Sequence, residues 1–125
     1  RSKDLSRAHA MNYSKQAKKT SYLEQCVAQM QAGPIVAASD YVCAYPNQVR
    51  EYIDPNKAFH VLGTDGYGRS DTCEALRQFF EVDSFHIAYH AVVALAKAGK
   101  LSEKDVEQAM KKYNINANKP NPTTV

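Results

Sequence analysis

Between Phe59 and Phe80 the chain reads FHVLGTDGYGRSDTCEALRQFF, and the residues best placed to do chemistry gather there. Gly63 and Gly68, followed by Arg69 and Ser70, match the spacing G-x-x-x-x-G-[KR]-[ST] of loops that cradle phosphate with backbone N–H groups and a helix N-terminus. The motif calls for Lys where this chain has Arg, and Asp65 would set a negative charge inside such a cradle. Gly63, Gly66 and Gly68 equally suit a strand-to-helix turn in which glycine permits φ > 0 and close packing. Two readings therefore stand. One is a small phosphate- or nucleotide-binding protein. The other is a structural or interface loop built from Gly63, Asp65, Gly66, Gly68, Arg69 and Ser70. In the second, the planar donors of Arg69 are expected on protein carboxylates or carbonyls rather than on a ligand.

Elsewhere the chemical signals have plainer explanations. His86 and His90 lie four apart, which puts both rings on one helix face as in zinc-binding helices. No third ligand is evident and no Glu follows His86, so paired surface or interface histidines are the simpler account. Asp40, after an apolar run, has the position of a magnesium-holding carboxylate but also of a helix N-cap. Asp65 and Asp71 flank the loop, where turn and cap roles explain both. No Ser-His-Asp or Cys-His arrangement can be assembled, so no catalytic, cofactor-binding or metal residue is assigned.

The elements that must position the loop follow from periodicity and punctuation. Leu5, Ala8 and Met11 predict a short helix over residues 3–12. Ser21 with Glu24 is a capping-box start for a helix burying Leu23, Cys26, Val27 and Met30, stopped by Gly33-Pro34. Ile35–Ser39 reads as a buried parallel strand. A turn is expected over Tyr41–Tyr45, then a helix from Pro46 burying Val49 and Ile53, closed by Asp54-Pro55-Asn56. After the strand Phe59–Leu62, Asp71 with Glu74 is the expected cap of a helix carrying Leu76, Phe79 and Phe80, with Ser70 as the other candidate. A long helix starts at Asp83 or Ser84, presents Phe85, Ala88, Val92 and Leu95, and stops at Gly99. Ser102 with Asp105 caps the last helix, which buries Val106, Ala109, Met110 and Tyr113. The tail is expected to be only partly pinned.

The 125 residues suit one domain, and 44% apolar with 23% charged residues is ordinary globular composition. The net charge of +3 is concentrated in residues 1–20, where six basic groups oppose Asp4. One aromatic and no dense basic run make this a solvated leader, not a nucleic-acid arm. No apolar run approaches the roughly 18 residues of a membrane span, and no secretory signal opens the chain. Cys26, Cys43 and Cys73 are too scattered for a C-x-x-C site and read as reduced thiols, which places the protein in the cytoplasm.

LGTDGYGRSD, EALRQFFEVD and the A-L-A-K-A-G of residues 94–99 together resemble the C-terminal end of the homodimeric bacterial pyruvate dehydrogenase family. The likeness continues in IVAASDY (35–41), QVREYI (48–53) and YNINANKPNP (113–122), and covers roughly residues 22–122. It implies an enzyme of the transketolase-like superfamily that uses thiamine diphosphate and magnesium to decarboxylate pyruvate. The acetyl group then passes to a lipoyl arm of the dihydrolipoyl acetyltransferase component. The implied partners are the remaining domains of the enzyme, a second subunit of the homodimer and that acetyltransferase, with neither nucleic acid nor membrane. None of the family's cofactor or proton-transfer residues maps onto this chain. The segment alone is therefore expected to be inactive and to hold no cofactor, its part being to brace the catalytic domains and the dimer.

The expected fold is α/β: a partial doubly wound parallel sheet, transketolase C-terminal-like, with helices on its faces and without its first strands. Residues 1–125 form one partial domain, with a basic leader over 1–20, an α/β body over 21–115 and a tail over 116–125. Two strands against five helices leave sheet edges bare. The chain is on this reading a segment that starts inside its domain, or one piece of a cleaved protein.

Overall fold

The computed structural model describes residues 7–8, 10–11, 20–30, 33–54 and 56–124. Most of the expected first helix lies outside these, although Arg7, Ala8, Ala10 and Met11 are helical and Ala8 is buried. Helix α1 spans Tyr22–Gln29 and is started by the capping box that Ser21 and Glu24 predict. The Glu24 amide donates to Ser21 Oγ at 3.2 Å, and the Ser21 amide donates to Glu24 Oε2 at 2.7 Å, so two otherwise orphaned donors are satisfied. Leu23, Cys26 and Val27 turn inward, whereas Met30 is the C-cap and stays exposed.

Strands β1 (Ile35–Ala38) and β2 (Phe59–Leu62) run parallel in the register Ile35 to Phe59 and Ala38 to Leu62. The ladder continues one step, with the Ser39 amide donating to the Leu62 carbonyl at 3.0 Å. Among the described residues these two strands are the whole sheet, so each has one partner only.

The connection between them departs from expectation. A single helical turn, α2 (Ala44–Asn47), is followed by a 3-10 turn over Arg50–Tyr52. Pro46 lies inside α2 rather than starting it, because the first turn of a helix needs no donor from that position. Asp40 does not cap it; Cys43 occupies the N-cap position without a side-chain bond. Ile53 is buried as expected, while Val49 is only half-buried.

Helix α3 spans Cys73–Phe79, and Thr72, not Asp71 or Ser70, caps it by accepting the Ala75 amide at 3.3 Å. Asp71 instead accepts the Thr72 amide at 2.7 Å, which orders the cap from one residue upstream. Helix α4 (Ser84–Lys97) is capped by Asp83 and ends at Gly99, whose φ of +73° is the left-handed stop that glycine allows. Helix α4 packs on both strands and on α5 (Glu103–Lys112), which carries the Ser102–Asp105 capping box. Among the described residues the buried apolar side chains are Ala8, Ile53, Phe59, Val82, Ala94 and Ala109, with Ala94 fully enclosed. Phe85 does not join them. It is exposed, its ring 6.1 Å from that of Tyr113 on α5.

Candidate functional site

In open parallel sheets the carboxyl ends of the strands are where ligands and loops meet, and here both strands deliver their chains to one place. The Thr64 amide donates to the Tyr41 carbonyl at 3.0 Å, and Thr64 Oγ1 donates to the Asp40 carbonyl at 2.8 Å. Asp65 Oδ1 accepts the Cys43 amide at 3.0 Å. The turns leaving β1 and β2 are thus stitched to one another at three points. Gly63 is required by this closeness: a Cβ there would lie 2.7 Å from Cys43 Sγ and 2.7 Å from the Tyr41 carbonyl oxygen. Burial pushes the Cys43 thiol up to about 11, reinforced by the hydrogen bond and charge of Asp65.

Further along the loop, Gly66 takes φ +104°, and a Cβ at that position would come within 3.2 Å of the Pro122 carbonyl oxygen. Arg69 does not bond carboxylates or carbonyls among the described residues. Its guanidinium lies 4.1 Å from the centre of the Phe79 ring, a cation–π stack. The reason is the placement of α3, whose last full turn brings Phe79 back beneath the loop. Phosphate loops place their Ser or Thr at the start of the helix. Here Ser70 is separated from the first helical residue, Cys73, by Asp71 and Thr72, and the Asp65 carboxylate already has its partner.

The tail is pinned at Lys119. Lys119 Nζ donates to the carbonyls of Gln78 and Phe79 at 2.7 and 2.6 Å, and lies 3.4 Å from Glu81 Oε1. The Gln78 carbonyl also accepts the Glu81 amide at 3.4 Å, and a cation suits the carbonyl end of a helix.

The two helical histidines have separate surroundings. His86 Nδ1 lies 2.9 Å from Asp83 Oδ1, which also accepts the His86 amide at 2.8 Å. Asp83 is held below the usual carboxylate range by these bonds, which outweigh the burial that opposes them. The His90 ring stands edge-on to Tyr89, with centroids 6.0 Å apart. Burial lowers the pKa of His90, with His60, His86 and Lys97 acting in the same direction and Glu81 against. His60, on β2, has a buried Nε2 without a hydrogen-bond partner among the described residues. No group of three or more His, Cys, Asp or Glu that could hold a metal ion occurs among the described residues.

Sequence reasoning missed Cys43 and Lys119. Nothing local marks either one, because their partners lie 22 and about 40 residues away. Thr72 was legible in principle, as one of three adjacent capping residues in Ser70-Asp71-Thr72.

Comparison with known proteins gives this geometry its context. The model of the transketolase-like TK C-terminal domain matches residues 6–83, which include both strands and the whole glycine loop. The pyruvate dehydrogenase E1 component of Cupriavidus necator is 48% identical over 93 residues, 74% of this chain and 10% of its own length. That of Pseudomonas aeruginosa is 44% identical over 107 residues, 86% of this chain and 12% of its own. That of Escherichia coli is 46% identical over 93 residues, again 74% and 10%. The chain therefore spans about a tenth of the length of the relatives it matches. With the match covering more than half of its residues, the chain belongs to the transketolase-like C-terminal domain family.

Proposed function

We infer that the chain is the C-terminal segment of a pyruvate dehydrogenase E1 component, and that its own role is to brace the rest of that enzyme. The observation carrying this reading is the 44% identity to the Pseudomonas aeruginosa E1 component over 86% of the chain. The whole protein would decarboxylate pyruvate on thiamine diphosphate and pass the acetyl group to a lipoyl arm of a dihydrolipoyl acetyltransferase, as a cytoplasmic homodimer. The carbanion chemistry is the cofactor's, and protein supplies placement and exclusion of water.

On this reading the segment is given no cofactor contact and no catalytic step, and Asp65, the carboxylate inside the loop, accepts the Cys43 amide at 3.0 Å and joins the exit turns of β1 and β2. Gly63, Asp65, Gly66, Gly68, Arg69 and Ser70 act as a rigid loop that presents a fixed surface to neighbouring domains or to the second subunit. No helix among the described residues is long and apolar enough to cross a membrane.

The test is an assay of the full-length protein. With thiamine diphosphate, magnesium and the acetyltransferase component, it should release carbon dioxide from pyruvate and acetylate the lipoyl group. Absence of pyruvate turnover, with activity on another 2-oxo acid or a sugar phosphate, would refute the assignment.

A further inference from the structure

A cavity of about 320 Å³ lies at the carboxyl ends of both strands, between the glycine loop and α3. That size is at the lower end of the range for small-ligand pockets, roughly 300–1,000 Å³. Its base is apolar, formed by Leu76, Phe80 and the buried Val82. Two arginines, Arg69 and Arg77, line the same space with a single acidic residue, Asp40, so the lining residues carry an excess of positive charge.

Neither arginine makes an ion pair with a carboxylate among the described residues. Arg69 is held by a cation–π contact with Phe79, its guanidinium carbon 4.1 Å from the ring centre, and a guanidinium so held can still turn N–H donors toward a ligand. Asp65, which in the sequence looks like a negative charge set inside the loop, does not line the cavity. Its carboxylate is turned to the Cys43 amide instead. The stitching of Thr64 to Asp40 and Tyr41 fixes one wall before any ligand arrives, and a preformed wall costs little ordering on binding.

From these observations we propose that the cavity is a binding site for a small organic oxyanion, a carboxylate or phosphate monoester on a short apolar body. The oxyanion sits between Arg69 and Arg77, whose forks suit its geometry. The apolar body rests on Leu76, Phe80 and Val82. This is not a phosphate loop, since Ser70 takes no part in the lining and the donors are side chains.

Cys73 provides a reporter, because its exposed side chain lines the same cavity. In the full-length protein, the rate of Cys73 alkylation by iodoacetamide is followed by peptide mass mapping. Butyrate, propyl phosphate and the neutral butyramide are each titrated in. The expected result is saturable slowing by butyrate, propyl phosphate or both, and none by butyramide; the anion acting at lower concentration identifies the preferred class. Arg77→Gln, on the exposed side of α3, should raise the concentration required by about tenfold or more, and Arg77→Lys by less, as loss of a charge-assisted fork implies. The proposal is overturned by a Cys73 that does not react, by equal protection from the neutral amide, by no protection from either anion, or by unchanged protection in Arg77→Gln.

Discussion

The carboxylate of Asp65 and the backbone amide of Cys43 meet at 3.0 Å across 22 residues of sequence. Through that bond the exit turns of two parallel strands become one unit, and Gly63 is confined between them. A methyl group at Gly63 would overlap Cys43 Sγ and the Tyr41 carbonyl, whereas one at Gly68 would meet nothing within 4 Å. Gly63→Ala in the full-length protein should therefore cost about 1–3 kcal/mol, the usual range for overpacking. Gly68→Ala should stay within about 0.5 kcal/mol of the parent. Thermal unfolding of the two variants side by side measures the difference.

Lys119 supplies a second long-range fastening. Its ammonium satisfies the Gln78 and Phe79 carbonyls and pairs with Glu81, which itself adopts φ +61° just after α3. Lys119→Ala should leave the Phe79 carbonyl to water and release the tail, at a cost of about 1–2 kcal/mol for a partly exposed charge-assisted contact. Hydrogen exchange should show faster exchange at the end of α3 and over residues 119–124, with β1 and β2 unchanged.

Acid should weaken the packing of α4 on the sheet. Burial depresses the pKa of His90 in the folded state, so below its unfolded value of about 6.5 the unfolded chain binds more protons than the folded one. Stability is then full above that pH and declines as pH falls through and below it. His60, His86 and Lys97 oppose a charge at His90, and Glu81 favours one. Replacing His90 with Gln should flatten this part of the stability profile, as read from denaturant midpoints between pH 7.5 and pH 5.

At alkaline pH the sign reverses. The Cys43 thiol is raised from about 9 to about 11, so the folded state retains a proton that the unfolded chain loses. This contribution is complete below pH 9 and is lost as pH rises through 11. Cys43 should also resist alkylation at pH 8, since the thiolate is the nucleophile.

How far the sequence could be read depended on the range of each interaction. Ser21 with Glu24, Ser102 with Asp105, and Asp83 act over three residues, and each cap appears where its residue type and spacing predict. Both strands were legible because short apolar runs bounded by Gly, Pro and Asp leave few alternatives. Thr72 was harder, since three neighbouring residues could each cap α3 and only the approach of the chain decides among them. The stack of Arg69 on Phe79 depends on where α3 points after its cap. The partners of Asp65 and Lys119 depend on the tertiary fold, and no local pattern encodes them.

The central claim is that Asp65 and the glycines of the loop hold the protein together, and that Asp65 takes no part in binding pyruvate or thiamine diphosphate. Asp65→Asn in the full-length enzyme tests it most directly, with thermal unfolding, the KM for pyruvate and the affinity for thiamine diphosphate measured on one preparation. The account predicts a lowered melting temperature, with KM and cofactor affinity within about twofold of the parent. An unchanged melting temperature together with a loss of about tenfold or more in pyruvate or cofactor affinity would contradict it.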